Sequence, residues 1–481
     1  MAGGDTARLY HDLSSYRLDR DDDDSPLPDH PLVLSDFVTD HVPTFPAPSK
    51  QYPDDLPITA LPQRWSRPVA SAATVIAGQV QQPVGRLDLE ALGRVLYLSA
   101  GVVSVVDRRD ARKFFFRTSR SAGGLFPLEL YVAARAVEGL ADGVHWYDPV
   151  HHRLVQIGPA PIGEATTIVL TGVPWRTGWR YAERGFRHLY WDAGTMLAQT
   201  LVVAESAGLM PRLWTRFGDA TVARLVGADG VHEFALALVT LGDGAPATHA
   251  SGTPRPGAHD AATIEFPLVT VAQHAGDLDR LGDPWSMAFP LPGPPPPTED
   301  LDNVIQLHRS TRVFDPTSSV LPDAFNFSVA AAVRGIEVPC FVAVLAVDGV
   351  EPGLYRWPDL DRPLRAGLLR GELFRACLDQ ELARDAAYDV ITAIDLAALD
   401  DDRSYREAQL AAGIVDGRLH LAAYGLGIGA SGMTFFDSEI EEMLGEPLGG
   451  LLITCVGLPA AARRKARAGE RTAFAIPNRR V

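Results

Sequence analysis

Cysteine is nearly missing from this chain: Cys340, Cys377 and Cys455 are the only three in 481 residues. They are too few and too scattered for a disulfide framework or a thiolate metal site, so each is expected as a reduced, buried filler. Basic residues are short as well, with 44 Lys and Arg against 60 Asp and Glu for a net charge of −16. That balance argues against a nucleic-acid or anionic-membrane partner, because either needs a basic surface to displace counterions. No apolar run approaches the length of a membrane span. The opening Met-Ala-Gly-Gly-Asp-Thr-Ala-Arg has no cationic stretch followed by an apolar one, so no secretory signal is read there and cytoplasmic residence is the default expectation. His151-His152 and the other histidines match no metal-ligand spacing, and no metal is expected.

What is present is a long apolar chain. Hydrophobic residues make up 46% of it, enough for two or three domains with cores of their own. Residues 1–66 are rich in Pro and Asp with little periodicity and read as an extended arm, in which the acidic run Asp21–Asp24 is a solvated segment. From Leu87 to Tyr97 apolar residues recur at helical spacing, with acids in the first turn. Strands are expected over Leu125–Val132, Gly143–Asp148, Ala165–Leu170 and Phe234–Leu241, and a helix over Tyr190–Leu209. Residues 246–299 break this rhythm and run into Pro294–Pro297, a stiff spacer that joins neither a helix nor an inner strand. Ile264–Val271 is the one edge strand expected within that linker. The remaining chain divides into a first domain, 67–245, and a second, 300–481.

The second domain repeats the first. Val137-Glu138-Gly139-Leu140 is matched by Val347-Asp348-Gly349-Val350, and Phe186-Arg187 leading to Ala193-Gly194 by Tyr405-Arg406 leading to Ala412-Gly413. Phe217-Gly218-Asp219 with Leu225-Val226-Gly227 is matched by Phe435-Phe436-Asp437 with Met443-Leu444-Gly445, and closing strands end at Gly242 and Gly457. Landmarks that keep their order over units longer than a solenoid repeat indicate a duplicated domain, whose two copies can dock as a dimer docks. Asp219 and Asp437 precede apolar helical runs and read as N-caps.

Residues 117–131 read Arg-Thr-Ser-Arg-Ser-Ala-Gly-Gly-Leu-Phe-Pro-Leu-Glu-Leu-Tyr, a turn of small residues feeding a strand. Ser121 offers a hydroxyl, and Gly123 and Gly124 remove side chains, so something flat can approach the backbone. The same residues also make an ordinary turn before a strand, and local sequence does not separate the two.

In combination these motifs resemble the FMN-dependent nitroreductase fold in each half, and the whole chain resembles the SagB-type dehydrogenases. The second half carries His308-Arg309-Ser310-Thr311-Arg312-Val313-Phe314 and later Gly425-Leu426-Gly427-Ile428-Gly429 before Phe435-Phe436-Asp437. The first half carries Arg117–Tyr131, Val137–Leu140 and Tyr181-Ala182-Glu183-Arg184-Gly185-Phe186-Arg187. The resemblance implies an α+β architecture: two tandem nitroreductase-like domains, each a central mixed or antiparallel sheet flanked by helices, docked as an intrachain pseudodimer. It implies FMN where the two copies meet. Arg309, Ser310 and Arg312 would hold the phosphate, in keeping with the match of guanidinium forks and a hydroxyl to phosphate oxygens. Ser121, Ala122 and Gly123 would line the ring from the other half, and Met433, Thr434 and Phe435 would pack its far side. Arg464 and Lys465 would reach the phosphate or form a solvated basic tail. The reciprocal site is eroded, since Thr74–Gln82 holds no cation and Arg334–Cys340 stands where a Ser-Ala-Gly-Gly turn belongs. One FMN per chain is expected.

SagB-type dehydrogenases oxidise thiazolines and oxazolines to azoles on ribosomally made peptides, which takes a base and a flavin. The resemblance thus implies a dehydrogenase of a peptide-tailoring pathway, with a peptide or small-molecule substrate, other pathway enzymes as partners, and further association of pseudodimers left open. Where the family carries Lys-Tyr, this chain has Arg180-Tyr181. Arginine stays protonated and only orients or stabilises charge, which leaves Tyr181 as the candidate for proton transfer with Arg180 beside it. A tyrosine packed at a helix start with Arg180 at the surface is the other reading. Arg120 stands where the family often has proline, either for an acidic substrate group or facing water. Trp175, Trp179 and Trp191 line a pocket or pack a core. Two further functions stay open: an NAD(P)H-dependent nitro, quinone or ene reductase, and a non-catalytic partner in a biosynthetic complex.

Overall fold

A long helix buried on nearly every side forms the centre of an interior, and the described residues include two, Gly185–Ser206 and Asp402–Gly425. The computed structural model describes residues 3–18, 28, 30–34, 45–66, 68, 70–107, 113–286 and 288–460. In chain order the elements are α1 (Asp5–Leu13), β1 (Ile58–Ala60), α2 (Ala72–Ile76), α3 (Leu89–Ala100), β2 (Val102–Asp107), β3 (Lys113–Arg117), β4 (Leu128–Ala134), β5 (Gly143–Asp148), β6 (Arg153–Gly158), β7 (Pro161–Ile162) and β8 (Thr166–Gly172). There follow α4 (Pro174–Tyr181), α5 (Gly185–Ser206), β9 (Pro211–Trp214), α6 (Asp219–Val226), β10 (Phe234–Leu241), β11 (His249–Ala250), α7 (Pro267–Ala275), α8 (Leu301–Leu307) and α9 (Pro322–Val333). The last are β12 (Cys340–Val344), β13 (Gly353–Arg356), β14 (Arg365–Ala366), α10 (Arg370–Ala376), α11 (Glu381–Asp385), β15 (Tyr388–Ile394), α12 (Asp402–Gly425), β16 (Gly429–Met433), α13 (Asp437–Leu444) and β17 (Gly449–Gly457).

The described residues form two compact units. One is drawn from the stretches 36–69 and 80–286, the other from 1–35, 70–79 and 287–468. The 36–286 unit has a seven-stranded antiparallel sheet in the order β1-β6-β5-β4-β8-β10-β9, and the other a six-stranded one in the order β14-β13-β12-β15-β17-β16. From β6 and β14 onward the two orders are the same path. The Gly139 and Gly349 turns that follow β4 and β12 both have positive φ, 84° and 72°, and Gly227 and Gly445 close α6 and α13 at 72° and 64°. Glycine takes that left-handed region without a Cβ clash, which explains why these landmarks survive in both copies. In each unit the long helix, α5 or α12, lies on one face of the sheet, and α6 or α13 on the other. The duplication is thus a duplication of one α+β fold.

Three expectations change. Ile264–Val271 is not an edge strand: Pro267 starts α7, where its missing N–H is not needed, and Leu268, Val269 and Ala272 form the buried stripe of a helix. Asp219 and Asp437 are first residues of their helices, not N-caps, because their carboxylates are drawn to distant backbone. Leu278 N donates to Asp219 Oδ2 (2.9 Å) while Asp219 N donates to Leu278 O (3.0 Å). In the other unit Tyr16 N donates to Asp437 Oδ2 (2.9 Å) and Asp437 N to Tyr16 O (2.8 Å). Leu278 comes three residues beyond α7 and Tyr16 three beyond α1, and both helices are nine residues long. Within the stretch read as an extended arm, α1 is therefore the second copy's counterpart of α7.

One irregular segment is pinned by buried charge. Lys50 and Glu233 have side chains 1% and 0% exposed and pair at 2.5 Å. Tyr131 and Thr171 hydroxyls donate to the other Glu233 oxygen at 2.8 and 2.6 Å. Burial, with Glu233 next, raises the pKa of Tyr131 well above its ordinary value and keeps it a donor. Removing one partner of such a pair leaves a buried charge unmatched. Lys50→Met is expected to cost about 3–5 kcal/mol in urea denaturation, and Lys50→Met with Glu233→Gln to recover much of it. A single mutant as stable as the parent would show the pair to be idle.

Candidate functional site

In the 36–286 unit the turn between β3 and β4 is bent by residues at positive φ: Gly123 (61°), Gly124 (67°) and Phe126 (48°). A carboxylate holds that shape. Asp192, on α5, accepts from Ser121 Oγ through Oδ2 (2.5 Å) and from Ala122 N through Oδ1 (2.9 Å). Phe126 N donates back to Ser121 Oγ (2.8 Å). The Ser121 hydroxyl therefore works on its own turn. Arg120, Ser121, Asp192 and Met196 line one small recess.

The end of α4 stands against this turn. A Cβ on Gly123 would come within 3.1 Å of Arg180 Nη1 and 3.2 Å of Tyr181 Oη, so only glycine leaves both side chains their places. Tyr181 is half-buried and stacks on His188 with ring centroids 3.8 Å apart and planes 9° from parallel. Burial pushes His188 down from 6.5 to about 3, with Arg184 adding to the effect, so its ring is neutral at physiological pH. Arg180 is exposed. Trp175 and Trp191 are core residues, whereas Trp179 is half-buried and meets Phe45 edge to face at 5.0 Å.

The phosphate motif expected in the second half lies in the other unit. Thr311 N donates to Ala430 O (2.9 Å), which lays the motif along β16; that strand ends at Met433 and continues into Thr434 and Phe435. Arg309 and Arg312 are exposed, Ser310 is half-buried, and Arg309 Nη1 donates to Gln306 O (3.0 Å) and His308 O (2.9 Å). Met433 and Phe435 are buried, and the Thr434 hydroxyl is buried without a hydrogen-bond partner among the described residues. Arg464 and Lys465 lie outside the described residues.

The two eroded segments meet inside this same unit. Arg334 lies on Gly78, with its Cζ 2.7 Å from where a Cβ would stand, and donates to Ala288 O (3.1 Å). The linker threads past both: Leu291 N donates to Ala77 O (2.9 Å), and Gln79 Nε2 donates to Gly293 O (2.7 Å). Backbone and a guanidinium thus pack over Gly78.

A cleft of about 260 Å³ in the 36–286 unit, lined by the segment Pro48–Tyr52 with Phe115, Trp146, His151 and Arg153 among others, includes none of the expected site residues. Asp192, His188, Phe45 and Phe114 were not foreseen. Asp192 sits beside the landmark Ala193-Gly194 but bonds residues some 70 positions earlier, which no local pattern reveals.

A duplicated α+β unit with this strand order has the nitroreductase fold. A crystal structure from Anabaena variabilis, provisionally named a nitroreductase, is similar over 96% of this chain and 100% of its own, with a TM-score of 0.71 and 22% identity. A relative from Methanocaldococcus jannaschii, also provisionally named a nitroreductase, is 28% identical over 171 residues, 32% of this chain and 81% of its own length. No protein-family model matches the chain.

The depressed His188 fixes a pH effect. The unfolded chain protonates this ring below about 6.5, while the folded one does not until about 3. Its contribution to stability is complete above 6.5 and is lost as pH falls through that window, by at most about 1.4 kcal/mol per pH unit. His188→Gln is expected to flatten the parent's loss of stability between pH 6.5 and 4. Denaturation midpoints with identical pH slopes would remove the assignment.

Proposed function

We propose that this chain is an FMN-dependent oxidoreductase holding one FMN, with a dehydrogenase of azoline-type rings in a peptide-tailoring pathway as the leading activity. The observation that carries this reading is the glycine turn with Arg180 and Tyr181 packed against it, on the nitroreductase fold. The residues fit the cofactor: a turn of small residues edged by the Arg180, Tyr181 and Phe114 side chains suits a flat ring, and exposed Arg309 and Arg312 with Ser310 suit a phosphate. In this reading Ser121 acts through the shape of the turn, and Ala122 and Gly123 line the ring. Met433, Thr434 and Phe435 back it, and Arg464 and Lys465 add positive charge toward the phosphate. The lack of a cation in Thr74–Gln82 supports a single cofactor.

Bound FMN supplies the two-electron acceptor. The chain supplies the rest. Tyr181 moves a proton at its hydroxyl, held in plane by the neutral His188 ring, and Arg180 stabilises negative charge without accepting a proton. A second reading, reduction of nitro, quinone or ene groups with NAD(P)H, is favoured by the same Arg180, since no lysine is there to act as a base.

Absorbance after denaturation is expected to give one FMN per chain, and two or none would overturn the composite site. Arg309→Ala should weaken FMN binding about ten- to a hundred-fold, as the loss of a charge-assisted contact does. Tyr181→Phe is expected to lower turnover of a thiazoline-bearing peptide about 10²- to 10⁴-fold with flavin retained. Unchanged turnover in that variant would take the proton-transfer role from Tyr181. Rapid anaerobic bleaching by NADPH, with no azoline oxidation, would select the reductase.

A further inference from the structure

The segment Phe45–Tyr52 has no regular structure, yet nearly every residue of it is tied down. Ala47 N donates to Asp260 Oδ2 (3.0 Å), Arg117 Nη2 to Pro48 O (2.5 Å), and Lys50 N to Glu129 Oε1 (2.9 Å). Gln51 and Ala258 exchange backbone bonds of 3.1 and 2.8 Å. The Lys50 ammonium goes to Glu233 and to the Tyr131 hydroxyl, 2.5 and 3.1 Å away. Burying a lysine to fix an irregular stretch costs desolvation, and its structural yield is the placement of what the stretch carries. At its start stands Phe45, against Trp179 (5.0 Å, planes at 68°) and Phe114 (6.2 Å, planes at 52°).

This corner belongs to the turn and to α4. Phe114 packs so closely on Gly124 that a Cβ there would come within 2.6 Å of its ring, and Trp179 directly precedes Arg180. All three aromatic residues are half-buried. The Trp179 indole N–H is buried without a hydrogen-bond partner among the described residues. Angled aromatic rings beside an exposed guanidinium bind a flat ring by stacking and edge contact, and an anionic substituent by charge.

We propose that Phe45, held in place at the start of the pinned segment Phe45–Tyr52, forms one wall of the substrate site, and that Phe45, Phe114 and Trp179 select a planar aromatic or heteroaromatic ring whose anionic substituent meets Arg180. The proposal rests on the reading of the turn as the cofactor-facing surface. It adds a substrate class to that reading: flat rings bearing a carboxylate or an equivalent acid.

Calorimetric titration of the purified full chain with 4-nitrobenzoate, and with 4-nitrobenzyl alcohol as the neutral counterpart, tests it. The parent should bind the acid about tenfold more tightly than the alcohol. Phe45→Ala should weaken both about tenfold with FMN content unchanged, and Trp179→Leu should do the same, which covers a failure of the first variant to fold. Arg180→Gln should abolish the preference for the acid. A chain without flavin that shows these losses would keep the pocket and overturn the cofactor reading. A flavin-loaded chain whose two aromatic variants bind both probes like the parent, or a parent that binds neither probe, would overturn the aromatic wall.

Discussion

A carboxylate buried in the middle of a sheet stays ionised only where cations are buried with it, and Glu129 on β4 meets that condition. Burial pushes its pKa up, but Arg176, Arg117 and the Trp146 indole N–H outweigh that and hold it below the ordinary carboxylate value. Each cation belongs to a different piece of the site. Arg176, bonded to Glu129 at 2.5 Å, is on α4, the helix that ends in Arg180-Tyr181. Arg117 ends β3 just before the glycine turn and reaches Leu128 O (3.1 Å) and the pinned segment at Pro48 O. Lys50 N, on that segment itself, takes the remaining contact. One buried charge thus sets the mutual placement of turn, helix end and pinned segment.

The Asp192 clamp finishes what this hub starts. Residues at positive φ are strained unless their surroundings hold them, and Phe126 is the non-glycine among them in this turn. Bonding Ser121 Oγ and Ala122 N to one rigid helix gives the turn a single shape, so a flat cofactor would meet a preformed surface.

The two copies share a fold but differ in what covers them. In the unit drawn from 1–35, 70–79 and 287–468, Arg334 packs on Gly78, and linker backbone is bonded to Ala77 and Gln79.

Much of the architecture was legible in the linear chain. The repeat, the closing strand Phe234–Leu241, most of the helix α5 and the glycine turn all follow from spacings within a few turns or strands, where local sterics and apolar periodicity act. The same locality explains the misreadings: a β-branched apolar run at Ile264–Val271 has no local feature to betray α7 except Pro267, and an Asp before a helix reads as a cap until a distant backbone claims it. Tertiary structure alone decided that Ser121 bonds Asp192, that Trp175 and Trp191 are core residues while Trp179 is half-buried against Phe45, and that Lys50 pairs with Glu233 in the interior. These pairings join residues far apart in sequence. Their energies exist only once burial has removed water from between them, so no pattern in the sequence by itself reveals them.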